Sequence, residues 1–225
     1  MTISKTILQR INDKNTRFFA CDNVSEFILE GEKELLIDET AEKFEAVLRS
    51  LLIDVDNDPN SQDTARRLSK MYFNEIMSGR YLAPPDVTAF PNTDKNSYKG
   101  MLVVRSEIQS VCAHHHQPVW GVAYIGIIPT NKVIGLSKYS RIAQWCARRG
   151  TLKEELTNQI AQSIMAATES ENVGVYIGAS HGCCSFRGIQ AKSSLTQTTV
   201  LNGLFKEIDV KKEFFDHIEI QEKRS

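Results

Sequence analysis

The feature that most constrains the fold of this chain is a change of sequence pattern near residue 100. Before it, apolar residues recur at helical spacing, and a linker rich in proline, asparagine and aspartate covers residues 80–100. After it, runs of strand length at 101–111 and 119–129 are rich in β-branched residues and partly alternate. We therefore predict a helical N-terminal region with its linker over residues 1–100 and a second domain over residues 101–225.

Helices and strands alternate in blocks along the chain, which favours an α+β fold over a doubly wound sheet. The acidic stretch from Glu26 to Glu42 is interpreted as a helix-forming surface or arm. The next helix carries an apolar stripe of Phe44, Val47, Leu48, Leu51 and Leu52. We predict further helices at about 62–78, 139–149, 152–168 and 209–219, and further strands at 173–178 and 186–191.

Composition narrows the classes of function. The formal net charge of −1 provides no overall basic field for a nucleic acid, so we predict no nucleic-acid partner. No apolar run reaches membrane-spanning length, and the first residues lack the features of a signal peptide, so we expect no membrane association and a cytoplasmic location. Five cysteines are an odd number, and in that compartment reduced thiols are available to a metal.

Two Cys/His clusters carry the densest chemistry. In the first, Cys112 and His115 have Cys-x-x-His spacing, so that a tight turn can aim both at one ion, and the second cluster contains Cys183. Zinc accepts thiolate and imidazole ligands in tetrahedral geometry, and a site with three protein ligands keeps a fourth position for water. The alternatives are buried, inert thiols with a packed histidine, or a structural site with four protein ligands.

Two further histidines, His114 and His181, flank these candidate ligands. Imidazole titrates near neutral pH, which suits proton transfer. The alternative interpretation of each histidine is that it supports the metal ligands or simply packs in the fold.

Several charged residues could recognise an anion or a base. Lys138 and Arg141 lie one helical turn apart, Arg187 follows the second cluster, and Arg66, Arg67 and Lys70 form another basic face. Each group taken alone is more often a solvated surface. Glu154, near a helix start, is favoured there by the helix dipole, and its carboxylate could also accept two hydrogen bonds from the N1–H and 2-amino edge of guanine.

Four separated segments together resemble one known family, GTP cyclohydrolase I. They are CAHHHQPVWG, VIGLSKYSRI, RRGTLKEELTNQIA and SHGCCSFRGI, and the similarity covers roughly residues 60–205. The resemblance implies a helical N-terminal part followed by a tunnelling-fold (T-fold) domain of antiparallel strands with a helix pair. It also implies a homodecamer of two pentamers, with active sites at subunit contacts.

The resemblance also implies roles for individual residues. Cys112, His115 and Cys183 match the Zn²⁺ ligands, and His114, His181 and Ser137 match catalytic residues. Glu154 matches the residue that anchors guanine. Lys138, Arg141 and Arg187 match residues around the ribose and triphosphate, and Arg67 and Lys70 match basic residues that a neighbouring subunit contributes.

The implied reaction is hydrolysis and rearrangement of GTP to 7,8-dihydroneopterin triphosphate with release of formate, the first step towards tetrahydrofolate, other pterins or 7-deazaguanines. An enzyme of the same fold with another purine or pterin substrate, and a zinc-stabilised binding module, are the competing hypotheses. The chain departs from the family pattern at Ala113, where an acid is usual, at Lys153, where glutamine is common, and at Cys184, an additional thiol.

Overall fold

The computed structural model describes residues 2–95 and 97–224, and the chain forms two compact units, Met1–Ala83 and Pro84–Ser225. The domain boundary that the sequence predicts at residue 100 stays a prediction. No helix in the described part of the chain is long and apolar enough to cross a membrane.

The N-terminal unit is helical. Its helices are α1 (Ile3–Asp13), α2 (Glu32–Ser50), α3 (Thr64–Met71) and α4 (Ser78–Tyr81), with a 3₁₀ turn at Ser25–Phe27 and a π-helical segment at Tyr72–Ile76. Apolar side chains from α1, α2 and the π-helical segment form its core: Ile7, Ile11, Val24, Phe27, Leu36, Ile37 and Phe73.

The apolar stripe expected to extend through Leu52 is only partly right. Helix α2 ends at Ser50, and the backbone N–H of Ile53 donates to the carbonyl of Leu48 while that of Leu52 donates to Arg49. These two bonds close the helix end as in a Schellman motif, which needs a left-handed residue after the cap. Leu52 is that left-handed residue, with a φ of 62°. The helix ends before it, and the Leu52 side chain is 93% exposed instead of packed in the core.

The second unit is built on a five-stranded sheet in the order β5-β2-β3-β6-β7. The strands are β2 (Leu102–Cys112), β3 (Pro118–Ile127), β5 (Gly150–Thr151), β6 (Val173–His181) and β7 (Thr196–Leu201), and a small second sheet pairs β1 (Ala89–Pro91) with β4 (Lys132–Ile134). Neighbouring strands run antiparallel, except that β5 is parallel to β2.

Helices cover both faces of this sheet. Helices α5 (Leu136–Ala147) and α6 (Lys153–Thr168) cover one face and form the larger core with the inward side chains of β2, β3 and β6. This core includes Ile160 and Ile164 from α6 and Ile108, Ile125, Ile127, Val175 and Ile177 from the strands. On the other face, a 3₁₀ turn at Gly203–Lys206 and α8 (Ile208–Glu222) bury Met101, Tyr124, Phe205, Phe214 and Ile218. The order of elements confirms the α+β class.

The strand predicted at 186–191 is wrong. A short helix α7 (Gly182–Ser185) follows β6, and the next strand along the chain, which pairs with the edge of β6 opposite β3, is Thr196–Leu201. Gly188 and Gln190 adopt left-handed backbone conformations, with φ of 58° and 53°, which no regular strand contains. Phe186 and Ile189 are 71% and 82% exposed, so the alternation that looked like a strand is not a buried face.

Candidate active site

The first cluster lies on the hairpin turn between β2 and β3. The backbone N–H of Cys112 donates to Gln117, and that of His116 donates to the carbonyl of Cys112. His116 has a φ of 51°, the left-handed residue that lets so short a turn close. Cys112 is therefore buried at the strand end, whereas the three histidines that follow it are exposed at the tip.

The second cluster reaches the same place because β6 is the neighbour of β3. His181 is paired with Val119, and α7 begins directly after it at Gly182. This turn carries Cys183 back towards Cys112, and their Sγ atoms are 3.7 Å apart. One ligand atom from each of Cys112, His115 and Cys183 lies within 4.8 Å of the others.

This geometry fits a tetrahedral metal ion. Two sulfurs that each lie about 2.3 Å from zinc at a tetrahedral angle are about 3.8 Å apart, close to the distance between these thiols, whereas a disulfide would need about 2.05 Å. Burial and hydrogen bonding with Cys112 raise the pKa of the Cys183 thiol. Two adjacent thiols in such a place lose their protons readily only beside a positive charge, which a divalent cation supplies.

Arg187 belongs to the same cluster. Its Nη1 donates to Nε2 of His115 at 3.0 Å. The hydrogen bond brings a permanent positive charge to the exposed side of the ligand group, where an anion could approach.

Two other predicted residues also lie at this end of the sheet. Strand β5 pairs Thr151 with Cys112, so α6, which begins at Lys153, starts beside the first cluster. Burial lowers the pKa of His181, the ammonium of Lys153 lowers it further, and the carboxylate of Glu154 raises it. His181 and Glu154 are therefore close enough to interact, as a shared site requires.

Other predicted residues are not brought to the cluster within one chain. Ser137 and Lys138 occupy the first turn of α5, Arg141 the next, and Lys138 donates to the carbonyl of Asp86 at 2.6 Å. The chain reaches the cluster end of the sheet only at Gly150, after α5 has run its 12 residues, a length of about 18 Å.

Arg67 and Lys70 lie on α3 of the N-terminal unit. Arg67 forms an exposed ion pair with Asp63, the residue just before this helix.

Lys153 has a second feature besides its departure from the family pattern. The structure buries it, with 4% of its surface exposed, on the same face of α6 as Leu156, Thr157 and Ile160. The signal was present, because 153, 156, 157 and 160 follow helical spacing for one face, and a lysine in that series is unusual.

Fold and cluster together define an α+β protein of the T-fold class with a Cys–His–Cys group that could hold a metal ion. The family model described as GTP cyclohydrolase I matches residues 41–219, and the chain belongs to this family. The enzyme class and the T-fold architecture predicted from the sequence are thereby confirmed.

Curated relatives give the same result. A protein named GTP cyclohydrolase 1 from Buchnera aphidicola subsp. Schizaphis graminum is 40% identical over 191 residues, covering 84% of this chain and 85% of the relative. One of the same name from Flavobacterium johnsoniae is 33% identical over 222 residues, covering 98% of both chains. Another, from Aeromonas hydrophila, is 39% identical over 172 residues, covering 75% of this chain and 78% of the relative.

Proposed function

We propose that this family member is a zinc-dependent enzyme that hydrolyses and rearranges GTP to 7,8-dihydroneopterin triphosphate and releases formate. The observation that carries the proposal is the convergence of Cys112, His115 and Cys183 beside His181 and Glu154 at one end of the sheet. Three ligands leave a tetrahedral ion with one open position, which distinguishes a catalytic site from a structural one.

The three ligands would hold Zn²⁺, and a bound zinc ion would supply a water activated for attack on C8 of the guanine ring. Burial and Lys153 lower the pKa of His181, which makes its protonated imidazole a readier proton donor. We assign to it the transfer of a proton to the purine nitrogen that loses its bond to C8. His114, exposed on the hairpin, and Ser137 serve the later proton transfers of ribose opening and ring closure.

Recognition of GTP falls to charged side chains. Glu154 accepts hydrogen bonds from N1–H and the 2-amino group of guanine, which orients C8 towards the metal. Arg187, beside His115, meets the phosphates near the ligand group. Lys138, Arg141, Arg67 and Lys70 complete the triphosphate site.

Assembly is part of the proposal. Ser137, Lys138 and Arg141 lie in the first two turns of α5, and the chain reaches the ligand end of the sheet only after that helix, so we infer that a second chain supplies them to each site. We propose a homodecamer of two pentamers. The cytoplasmic location, the absence of nucleic-acid and membrane partners, and the use of the product for folate, other pterins or 7-deazaguanines stay predictions.

Metal and reaction are tested together by replacing one ligand. In Cys112→Ser, we expect the tightly bound zinc measured by elemental analysis to be lost, together with formate and pterin formation from GTP, because a serine hydroxyl is a poor zinc ligand. Cys184→Ser is the matched control: its thiol is 4.0 Å from that of Cys183 but lies outside the ligand group, so both readouts should persist.

Full zinc content and turnover in Cys112→Ser would overturn the ligand assignment. A pterin product without formate would favour the other T-fold chemistry. Bound zinc with unchanged GTP would favour the binding module.

A further inference from the structure

Lys153 is the one lysine in the described part of the chain that is buried. Its side chain is 4% exposed, and its Nζ has no hydrogen-bond partner among the described residues. A buried ammonium without a partner destabilises a fold, so such a group persists where something outside the chain pairs with it.

The position of Lys153 indicates what that partner is. It opens α6 two residues after Thr151, which pairs with the candidate ligand Cys112, and it interacts electrostatically with His181. The donor therefore lies at the end of the sheet where the reacting ring must sit. Its neighbour along the helix is Glu154, the acceptor assigned to guanine.

The edge of guanine presents three groups in a row: the 2-amino group and N1–H, which donate, and the 6-oxo group, which accepts. A carboxylate can satisfy the two donors but not the 6-oxo group, since an ionised carboxylate only accepts. The missing complement is one hydrogen-bond donor beside Glu154. Nζ of Lys153 is a donor in its charged form and still donates when neutral.

We propose that Lys153 is a specificity residue that donates a hydrogen bond from Nζ to the 6-oxo group of the purine, so that Lys153 and Glu154 together read the whole guanine edge. The inference rests on the proposed function, because Glu154 is assigned to guanine there. It predicts a preference for 6-oxopurine nucleotides that depends on residue 153.

The test compares the binding of GTP with that of the triphosphate of 6-thioguanosine, which keeps N1–H and the 2-amino group but offers a weakly accepting sulfur at position 6. Binding is measured by titration calorimetry on the full-length assembled protein. We expect the wild type to favour GTP by about tenfold or more, because the thio analogue leaves the buried donor without a good acceptor. In Lys153→Met, similar in size but without the donor, the preference should fall below about threefold, through weaker binding of GTP.

Two controls separate this role from others. Lys153→Gln restores a donor and should restore part of the preference for GTP. Glu154→Gln should weaken discrimination between GTP and ITP, which lacks the 2-amino group, and leave the ratio of GTP to the thio analogue unchanged.

Thermal melting without nucleotide distinguishes this role from a purely structural one, because loss of a structural lysine would lower Tm. Lys153→Met should raise Tm, because methionine removes the unpartnered charge and keeps the packing. An undiminished preference for GTP in Lys153→Met, or a Tm that falls, would overturn the inference. Selective binding that depends on Lys153 without formate release would instead support the inference and overturn the proposed function.

Discussion

At the residue scale, neighbouring charged groups in the candidate site shift pKa values in opposite directions. Burial lowers the pKa of Lys153 to about 8, against an ordinary value of 10.5, and Glu154 opposes the shift by raising it. His181 has a pKa lowered in turn by burial and by Lys153. The charge of Lys153 thus makes it easier for His181 to lose its proton, which disfavours two adjacent positive charges in the site.

This arrangement makes the free energy of unfolding depend on pH. Between about pH 8 and pH 10.5 the unfolded chain holds the Lys153 proton more firmly than the folded chain, so the stability contributed by this group rises with pH. Below pH 8 the destabilisation by the buried charge is fully present. We expect the Tm advantage of Lys153→Met to be largest at pH 7 and to shrink as the pH is raised from 8 to 10.5.

The measurement is a series of melting curves without nucleotide, taken on the wild type and the variant in parallel. Other groups titrate in both proteins and cancel in the difference. A constant gap between the two proteins across this range would show that Lys153 keeps its ordinary pKa.

At the element scale, glycines in the sheet make room for aromatic rings that pack on it from α8 and the 3₁₀ turn before it. Gly126 and Gly174 are opposite each other on β3 and β6, and the rings of Phe205 and Phe214 lie directly on them. A Cβ added at Gly174 would be 2.6 Å from Phe205, a distance that requires the buried ring to shift.

Gly174→Ala should therefore lower the free energy of unfolding by about 1–3 kcal/mol, the range for overpacking in a core. Gly178→Ala, on the same strand, is the control, because its Cβ would meet Tyr176 at an ordinary 3.6 Å. Urea denaturation of both variants measures the effect. Equal midpoints for the two variants would contradict this account of the packing.

Sequence patterns predicted these elements unequally. Strands β2, β3 and β6 and helices α5 and α6 were predicted because apolar periodicity reports burial, and they are the elements that flank the large core. The segment at 186–191 was mistaken for a strand because hydrophobic alternation does not encode φ, and Gly188 and Gln190 turn the chain there. The prediction that Leu52 continues the apolar stripe of α2 was wrong for the same reason, because Leu52 is left-handed.

The candidate ligands were predictable because Cys-x-x-His spacing and the ends of two strands are local features, and the register of β3 with β6 then joins them. Their roles in binding and catalysis remain proposals. The lack of a hydrogen-bond partner for Nζ of Lys153 among the described residues could not be predicted from the sequence, because it depends on which acceptors the folded unit places near that atom.

At the scale of the whole molecule, the proposed function implies a site divided into two halves on different chains. One half would hold the metal ligands with His181 and Glu154, and the other would hold Ser137, Lys138 and Arg141. This division can be tested by mixing two inactive proteins.

We expect Cys112→Ser and Lys138→Met to be inactive separately and to recover activity when they are unfolded, mixed equally and refolded together. A working site needs an intact ligand half from one chain and an intact α5 from its neighbour, so random mixing should restore about a quarter of the wild-type rate in a closed ring. Formate release measures the recovery. Two samples refolded separately and then combined are the control, and no gain over that control would place both halves of the site in a single chain.

The hairpin turn that carries Cys112 and His115 has a consequence for the order of events during maturation. Its hydrogen bonds, from Cys112 to Gln117 and from His116 to Cys112, are made by backbone groups alone, and the strand register that delivers Cys183 is fixed by the core. The chain can thus finish folding with its binding place already shaped. If this place holds a metal ion as proposed, metal acquisition would be a late and separate step, in which the supply of the ion, rather than the supply of new polypeptide, would set how many enzyme molecules are ready to work.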